Sequence, residues 1–241
     1  MSKNRNSGIT DWFSQWQEEE REAERSQIDN AGTNKELADY LRLRYGIDVH
    51  PDFDQYDHET AKAYVQEISD LYDEFPSLRG VMTLFGRNVP GAAYAGVSLT
   101  GELSMDLSKM RTLATAETLY NRDLAQGFHP QGTSAVSIIS HEIGHLLEKA
   151  VLNKEHPSFN TVLWMGHSAA QDVVSSAMDR AAPGWRSSPD TYSRMVSDIS
   201  KYAAHDASET LAEAVSDYRA NRGNAKPLSR EIWRELKNRL G

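Results

Sequence analysis

The sequence predicts an α+β fold: a small mixed sheet packed on one central helix, followed by a largely helical C-terminal half. Three observations predict it. Apolar residues recur at spacings of three and four over 34–46, over 57–76 and in most of the chain after residue 133. Strand-like stretches bounded by turn residues are confined to 47–50 and 79–110. Strands and helices are therefore segregated along the chain rather than alternating, which is the α+β pattern.

Taken in order, residues 1–32 read as a charged extension and 33–241 as one domain. The stretch "SQWQEEEREAERSQIDNAG" is rich in charge and poor in apolar residues. It reads as a mobile, solvated segment, with Trp12, Phe13 and Trp16 as a small apolar face. The segment "NKELADYLRLRYG" predicts a helix with Leu37, Tyr40, Leu41 and Leu43 on its apolar side and Gly46 as its stop. "IDVH" follows as a short strand. "DHETAKAYVQEISDLYDEFP" predicts a second helix, with Ala61, Tyr64, Val65, Ile68 and Leu71 in one stripe and Pro76 just past its end. "RGVMTLFG" (79–86) is the next strand. "AAYAGVSLT" and "ELSMDLSKM" flank Thr100-Gly101 and predict a hairpin or two adjacent strands. Helices are then expected at 133–152, 158–180, 189–200, 206–221 and 227–240, with breaks at "HPS", "APGW", "SSPD" and "NRGNAKP".

Composition narrows the function. The chain has 241 residues and a formal net charge of -9, so it lacks the overall basic balance that nucleic-acid binding favours. It has no cysteine, which excludes disulfides and thiolate metal sites; any transition metal must be held by histidines and carboxylates. No run of about 18 apolar residues is present, and the N-terminal segment lacks the apolar core of a signal peptide. The expectation is a cytoplasmic protein with no membrane or nucleic-acid partner.

One motif stands out. "SIISHEIGHLLEKA" contains His-Glu-x-x-His at 141–145. Val136, Ile139, Ile143, Leu146 and Ala150 form the core stripe of its helix, and Thr133 or Ser134 is the expected cap. His141 and His145, one turn apart, can reach a single Zn²⁺ at about 2.0–2.1 Å. Glu142, rotated by about 100°, can contact a metal-held water in place of the metal, where a general base belongs. Gly144 costs about 1 kcal/mol against alanine in a helix, which points to something packed closely against it. A third ligand is sought in "KYAAHDASETLAEAVSDYRAN", where Glu209, Glu213 and Asp217 share one helix face. His129 reads as a loop or packing residue, and His205 as a neighbour of that helix. Trp164, Trp185 and Trp233 read as packing residues, and His156 and His167 have no assigned role.

"ISHEIGH" followed by "SETLAEAVSDY" resembles the lethal-factor-like branch of the zincin metallopeptidases, which includes anthrax lethal factor and the Pro-Pro endopeptidases. The resemblance implies Glu209 as the third ligand, Glu213 as the residue fixing a ligand histidine, and Tyr202, seven residues before Glu209, reaching over the metal. A thermolysin-like register remains as the alternative, with Glu213 as ligand and Asp217 behind it. "GFHPQGTSAVSIISHEIGHLLE" and "NAKPLSREIWRELKNRL" also resemble the C-terminal zincin-like domain of phage minor head proteins, over about residues 35–241. The glutamate helix departs from that family at Thr210, Leu211 and Val215, where aromatics are usual. Together these resemblances imply a zinc endopeptidase (one Zn²⁺ per chain; Glu142 and Tyr202 catalytic) acting on a protein or peptide. They also imply mobile-element origin and a phage structural partner for residues 1–32. The competing expectations are a virion or head-assembly protein that retains the fold, and a secreted toxin or effector peptidase.

Overall fold

The computed structural model describes residues 7–91, 93–157 and 169–241. Its first helix, α1 (Ser7–Asn30), corrects the expected domain boundary. Ile28 and Ala31 are buried in the common core, and Glu24 is buried against the Arg44 guanidinium. The Lys62 ammonium donates to the Asp29 carbonyl at 2.9 Å. The domain therefore starts within α1. Its charged sequence hid this, because Glu24 is buried only through a partner on the next helix. The side chains of Trp12 and Phe13, and residues 158–168 with Trp164 and His167, lie outside the described residues.

Thr33 accepts from the Glu36 N–H and starts α2 (Asn34–Tyr45); Gly46, at φ 73°, ends it. Leu37 and Leu41 face the core as expected, whereas Leu43 is 87% exposed, since the buried stripe continues to Tyr45 instead. β1 (Asp48–Val49) follows. Asp57 caps α3 (His58–Glu74), whose expected stripe is buried throughout.

Four strands form one sheet in the order β1-β2-β4-β3. β2 (Leu84–Asn88) lies parallel to β1 and to β4 (Glu102–Met105), and β3 (Ala95–Val97) pairs antiparallel with β4. The expected strand at 79–86 is displaced to 84–88. Pro76 opens a 3-10 turn and Gly80 turns left-handed at φ 76°, which delays pairing. The hairpin closes at Gly101, with φ 91° and a position where a Cβ would sit 2.0 Å from the Val81 carbonyl oxygen. Among the described residues β3 pairs only with β4, at the edge of the sheet.

The strand expected to reach Met110 stops at Met105, because the Asp106 carboxylate accepts from the Ser108 N–H and caps α4 (Leu107–Met110). Thr112 caps α5 (Leu113–Ala125), a helix that the periodicity did not signal; only Ala116 and Tyr120 of it are buried. The chain then reaches the central helix, α6 (Ser137–Glu155). Neither expected cap serves it. The Thr133 hydroxyl donates to the Pro130 carbonyl at 2.6 Å, and the Ser134 N–H donates to Ser137 Oγ at 3.2 Å. Nor is α6 amphipathic with a polar face in water: Ser140, His141 and Glu142 are buried along with its apolar stripe.

α7 (Ala169–Ala181), α8 (Pro189–Ser197), α9 (Ala207–Asn221) and α10 (Pro227–Leu240) complete the domain. α6 packs against α9 on one side and α3 on another, with β3 across it. α10 packs on α7 and α9, where Trp233 stacks on Tyr218 with ring centres 4.5 Å apart. No described helix is long and apolar enough to cross a membrane.

Two contacts set the distance between α6 and α9. The first is Gly144, where an added Cβ would lie 2.6 Å from the Ala212 Cα. That neighbour is helix backbone, which cannot swing aside as a flexible side chain can. Gly144→Ala is expected to destabilise the fold by about 1–3 kcal/mol despite alanine's advantage of about 1 kcal/mol in a helix. Thermal unfolding measures it, and unchanged stability would mean that α9 is free to retreat.

The second contact is Arg219 of α9. Its guanidinium meets Glu67 at 2.9 Å, Asp70 at 3.0 Å and Glu74 at 3.3 Å, all on α3, and the Ser140 hydroxyl donates to the same Glu67 carboxylate at 2.5 Å. One cation thus ties α3, α6 and α9. Arg219→Met would leave three partly buried carboxylates without it, a loss of about 3 kcal/mol in urea unfolding. A loss below about 1 kcal/mol would place the cluster with ordinary surface pairs.

Candidate metal centre

His141 and His145 lie one turn apart on α6, and Glu209 stands in the first turn of α9, held there by the Asp206 cap that accepts the Glu209 N–H at 2.9 Å. The close approach at Gly144 brings these two helices together. The Nε2 atoms of the two histidines face each other at 3.3 Å. Glu209 Oε2 lies 3.2 Å from His141 Nε2 and 3.6 Å from His145 Nε2. A tetrahedral ion with bonds of about 2.0–2.1 Å needs ligand atoms about 3.3 Å apart. The three distances match that edge length.

The hydrogen bonds behind the rings decide what these atoms can do. His141 Nδ1–H donates to Glu213 Oε1 at 2.8 Å. His145 Nδ1–H donates to Ser208 Oγ at 3.0 Å, and the Ser208 hydroxyl donates in turn to Glu148 Oε2 at 2.6 Å. Each ring is therefore held from its Nδ1 side, leaving the Nε2 lone pairs to converge on one point. Glu209 Oε2, buried, makes no hydrogen bond of acceptable geometry although His141 is within 3.2 Å. Two imidazole lone pairs and one carboxylate oxygen converge with no donor of their own, an arrangement that calls for a cation. The His141-His145-Glu209 group could hold a metal ion.

The titration of these groups carries the same sign. Burial works against a charge on His141, but the adjacent Glu209 carboxylate and the hydrogen bond to Glu213 outweigh it and carry its pKa up to about 10. The site therefore attracts one positive charge, which a proton or a metal can supply. Burial and the charge of His141 push His145 down to about 4, leaving it a neutral lone-pair donor at pH 7. Burial raises Glu213, yet the neighbouring His129 and the hydrogen bond from His141 prevail and hold it down at about 2.

Glu142 is 6% exposed and belongs to the cleft wall rather than to the ligand group. Burial lifts its pKa to about 7, helped by Glu209 and Glu213 and opposed by His141. Tyr202 lies at the mouth, its ring centre 5.7 Å from that of His141. Burial and the Glu209 carboxylate push its pKa up to about 12, so its hydroxyl keeps its proton at neutral pH. β3 forms the facing wall: Ala95, Gly96 and Val97 line the cleft with His141, Glu142, His145, Tyr202 and Glu209.

Glu209 and Glu213 take different places around the two histidines. Glu213 is 1% exposed and sits behind His141 rather than beside the two Nε2 atoms. Asp217 accepts from Asn221 Nδ2 at 2.7 Å and from the Lys226 N–H at 2.8 Å, which anchors the turn into α10. His205 is exposed and paired with Asp206.

Three residues of the site escaped the sequence reading. Ser208 and Glu148 complete the support of His145, and Glu148 also accepts the Ala170 N–H at 3.1 Å, docking the start of α7. The available signal for Glu148 was its place three residues after His145, on the same face of the helix. His129, expected as a loop or packing residue, stacks on Tyr120 with ring centres 4.2 Å apart and places Nδ1 3.7 Å from Glu213 Oε1. Compared with protein-family models, curated proteins and solved structures, the chain matches none, and the site geometry carries the functional reading.

Proposed function

We propose that the chain is a zinc-dependent endopeptidase with a zincin-like fold. The observation that carries this reading is the convergence of His141 Nε2, His145 Nε2 and Glu209 Oε2 at 3.2, 3.3 and 3.6 Å, with both histidines held from behind. Two imidazoles, one carboxylate and no thiolate suit Zn²⁺, and three protein ligands leave a position open, as in a catalytic rather than a structural site. Zinc, when bound there, supplies a Lewis acid that acidifies water and polarises a carbonyl group.

The remaining work belongs to this chain's residues. Glu142 takes a proton from the attacking water and returns it to the leaving nitrogen; a pKa of about 7 suits both directions at neutral pH. The Tyr202 hydroxyl donates a hydrogen bond to the carbonyl oxygen as negative charge grows on it. The outer edge of β3 offers backbone N–H and C=O groups to an extended peptide, which would add as a further strand. Glu213 and Ser208 hold the histidine tautomers. A purely structural role in a phage head gives no reason to bury Glu142 beside two other acids, so this feature favours catalysis.

The test is cleavage of a mixed peptide library by the purified chain, before and after a chelator and then with zinc restored. Hydrolysis that stops with the chelator and returns with zinc supports the reading. Absence of hydrolysis by a folded, zinc-loaded chain across the library contradicts it.

A further inference from the structure

A second cavity, of about 310 Å³, opens beside Glu142 between the start of β3, the end of α5 and the first turns of α6. Tyr94, Phe128 and Tyr202 give it flat aromatic walls; Asp123, His129 and Glu142 supply its polar groups. Among the described residues, no lysine or arginine lines it, and ammonium groups stand over the Phe128 ring (Lys201, 5.7 Å) and the Tyr94 ring (Lys109, 5.8 Å). The cavity's charged group away from the converging ligand atoms is the Asp123 carboxylate. The Asp123 carboxylate accepts from the Tyr94 hydroxyl at 2.5 Å and from the exposed Arg122 at 3.0 Å, which leaves other lone pairs free. Burial raises its pKa, but those two hydrogen bonds win and hold it below the usual carboxylate range, so it is charged at neutral pH. His129 is nine-tenths buried, its side chain 10% exposed. Its Nδ1 lies 3.7 Å from Glu213 Oε1, and its Nε2 is buried with no hydrogen-bond partner.

We propose that this pocket receives an arginine side chain of the substrate, at the residue whose nitrogen leaves when the peptide bond breaks. The placement rests on the peptidase reading above: Glu142 returns its proton to that nitrogen, and Glu142 is also a wall of this pocket, so the side chain beside that nitrogen is the one in reach. The choice of arginine rests on the lining. A guanidinium is flat, stacks on aromatic faces, carries five N–H donors and pairs with carboxylates in a forked geometry. Leucine or phenylalanine would fill the same space but desolvate the Asp123 carboxylate without offering it a cation, which is penalised.

Four peptides differing only at that residue (Arg, Lys, Leu or Phe) are compared by kcat/KM on the zinc-loaded full chain and on its Asp123→Asn variant. The arginine peptide is expected to lead leucine and phenylalanine by about tenfold or more, and Asp123→Asn to reduce that lead to about twofold or less. Leucine or phenylalanine equal to arginine, or a lead that survives Asp123→Asn, overturns the proposal. If no peptide is cleaved, argininamide and leucinamide, which model the product side of the cut with its nitrogen already freed, are titrated into the same proteins by NMR. Tighter binding of argininamide that depends on Asp123 then keeps the pocket while the peptidase reading falls. Equal binding of the two removes the pocket assignment as well.

Discussion

Glu142→Gln is expected to keep about one zinc per chain and to lower peptide hydrolysis by about 10²–10⁴-fold. The substitution is nearly isosteric, and Glu142 lies outside the group of converging ligand atoms, so the metal has no reason to leave. What is lost is the proton acceptor. Burial raises Glu142 to about 7, which makes it a base strong enough to take a proton from an acidified water and an acid strong enough to release it. A glutamine can do neither. Loss of zinc in this variant would show Glu142 to be a ligand, and activity at the wild-type rate would remove it from the mechanism. A rise in KM alone, with kcat retained, would assign it to ground-state binding.

The second large effect separates Glu209 from Glu213. Glu209→Ala removes one of three ligand atoms and the anionic one, so zinc should be retained only at millimolar supply or not at all. Glu213→Gln leaves all three ligand atoms and removes the charged acceptor behind His141, for which the expected loss of zinc affinity is about 10–100-fold. The order of the two effects is the prediction. Competition with a chromogenic chelator measures both variants on one scale. The reverse order, with Glu213→Gln stripping the metal and Glu209→Ala retaining it, would restore the alternative register. The position of Asp217, spent on Asn221 and Lys226 at the turn into α10, argues against that register.

Much of the site was legible in the sequence because its logic is local. The spacing of His141 and His145 follows from the helical repeat alone. Glu209 and Glu213 mark the inward face of α9 in the same way. Gly144 was legible too: a glycine in the middle of a good helix implied a close neighbour, and the Ala212 backbone is that neighbour. Helices with strong stripes and clear caps, such as α2 and α3, formed within about two residues of expectation.

What the sequence concealed depends on contacts between distant segments. Glu24 looks solvated until Arg44 of α2 is placed beside it. α5 buries little beyond Ala116 and Tyr120, too few residues to leave a readable stripe. β2 slipped because a left-handed glycine, and not the apolar run, decided where pairing begins. Ser208, Glu148 and His129 gain their roles only once α6 and α9 lie side by side and the α5–α6 loop folds behind Glu213. Ser208 and His129 have no spacing rule relative to the histidines, so periodicity could not have selected them.

The central claim is that the three converging lone pairs exist to hold a metal. The measurement that tests it most directly is zinc per chain by elemental mass spectrometry, on protein purified without added metal and then dialysed. About one zinc per chain, lost in His145→Ala, is the predicted result. A folded chain that carries no zinc and takes up none from zinc-supplemented buffer would contradict the account, and His141, His145 and Glu209 would then be a buried proton-sharing cluster that stabilises the contact between α6 and α9.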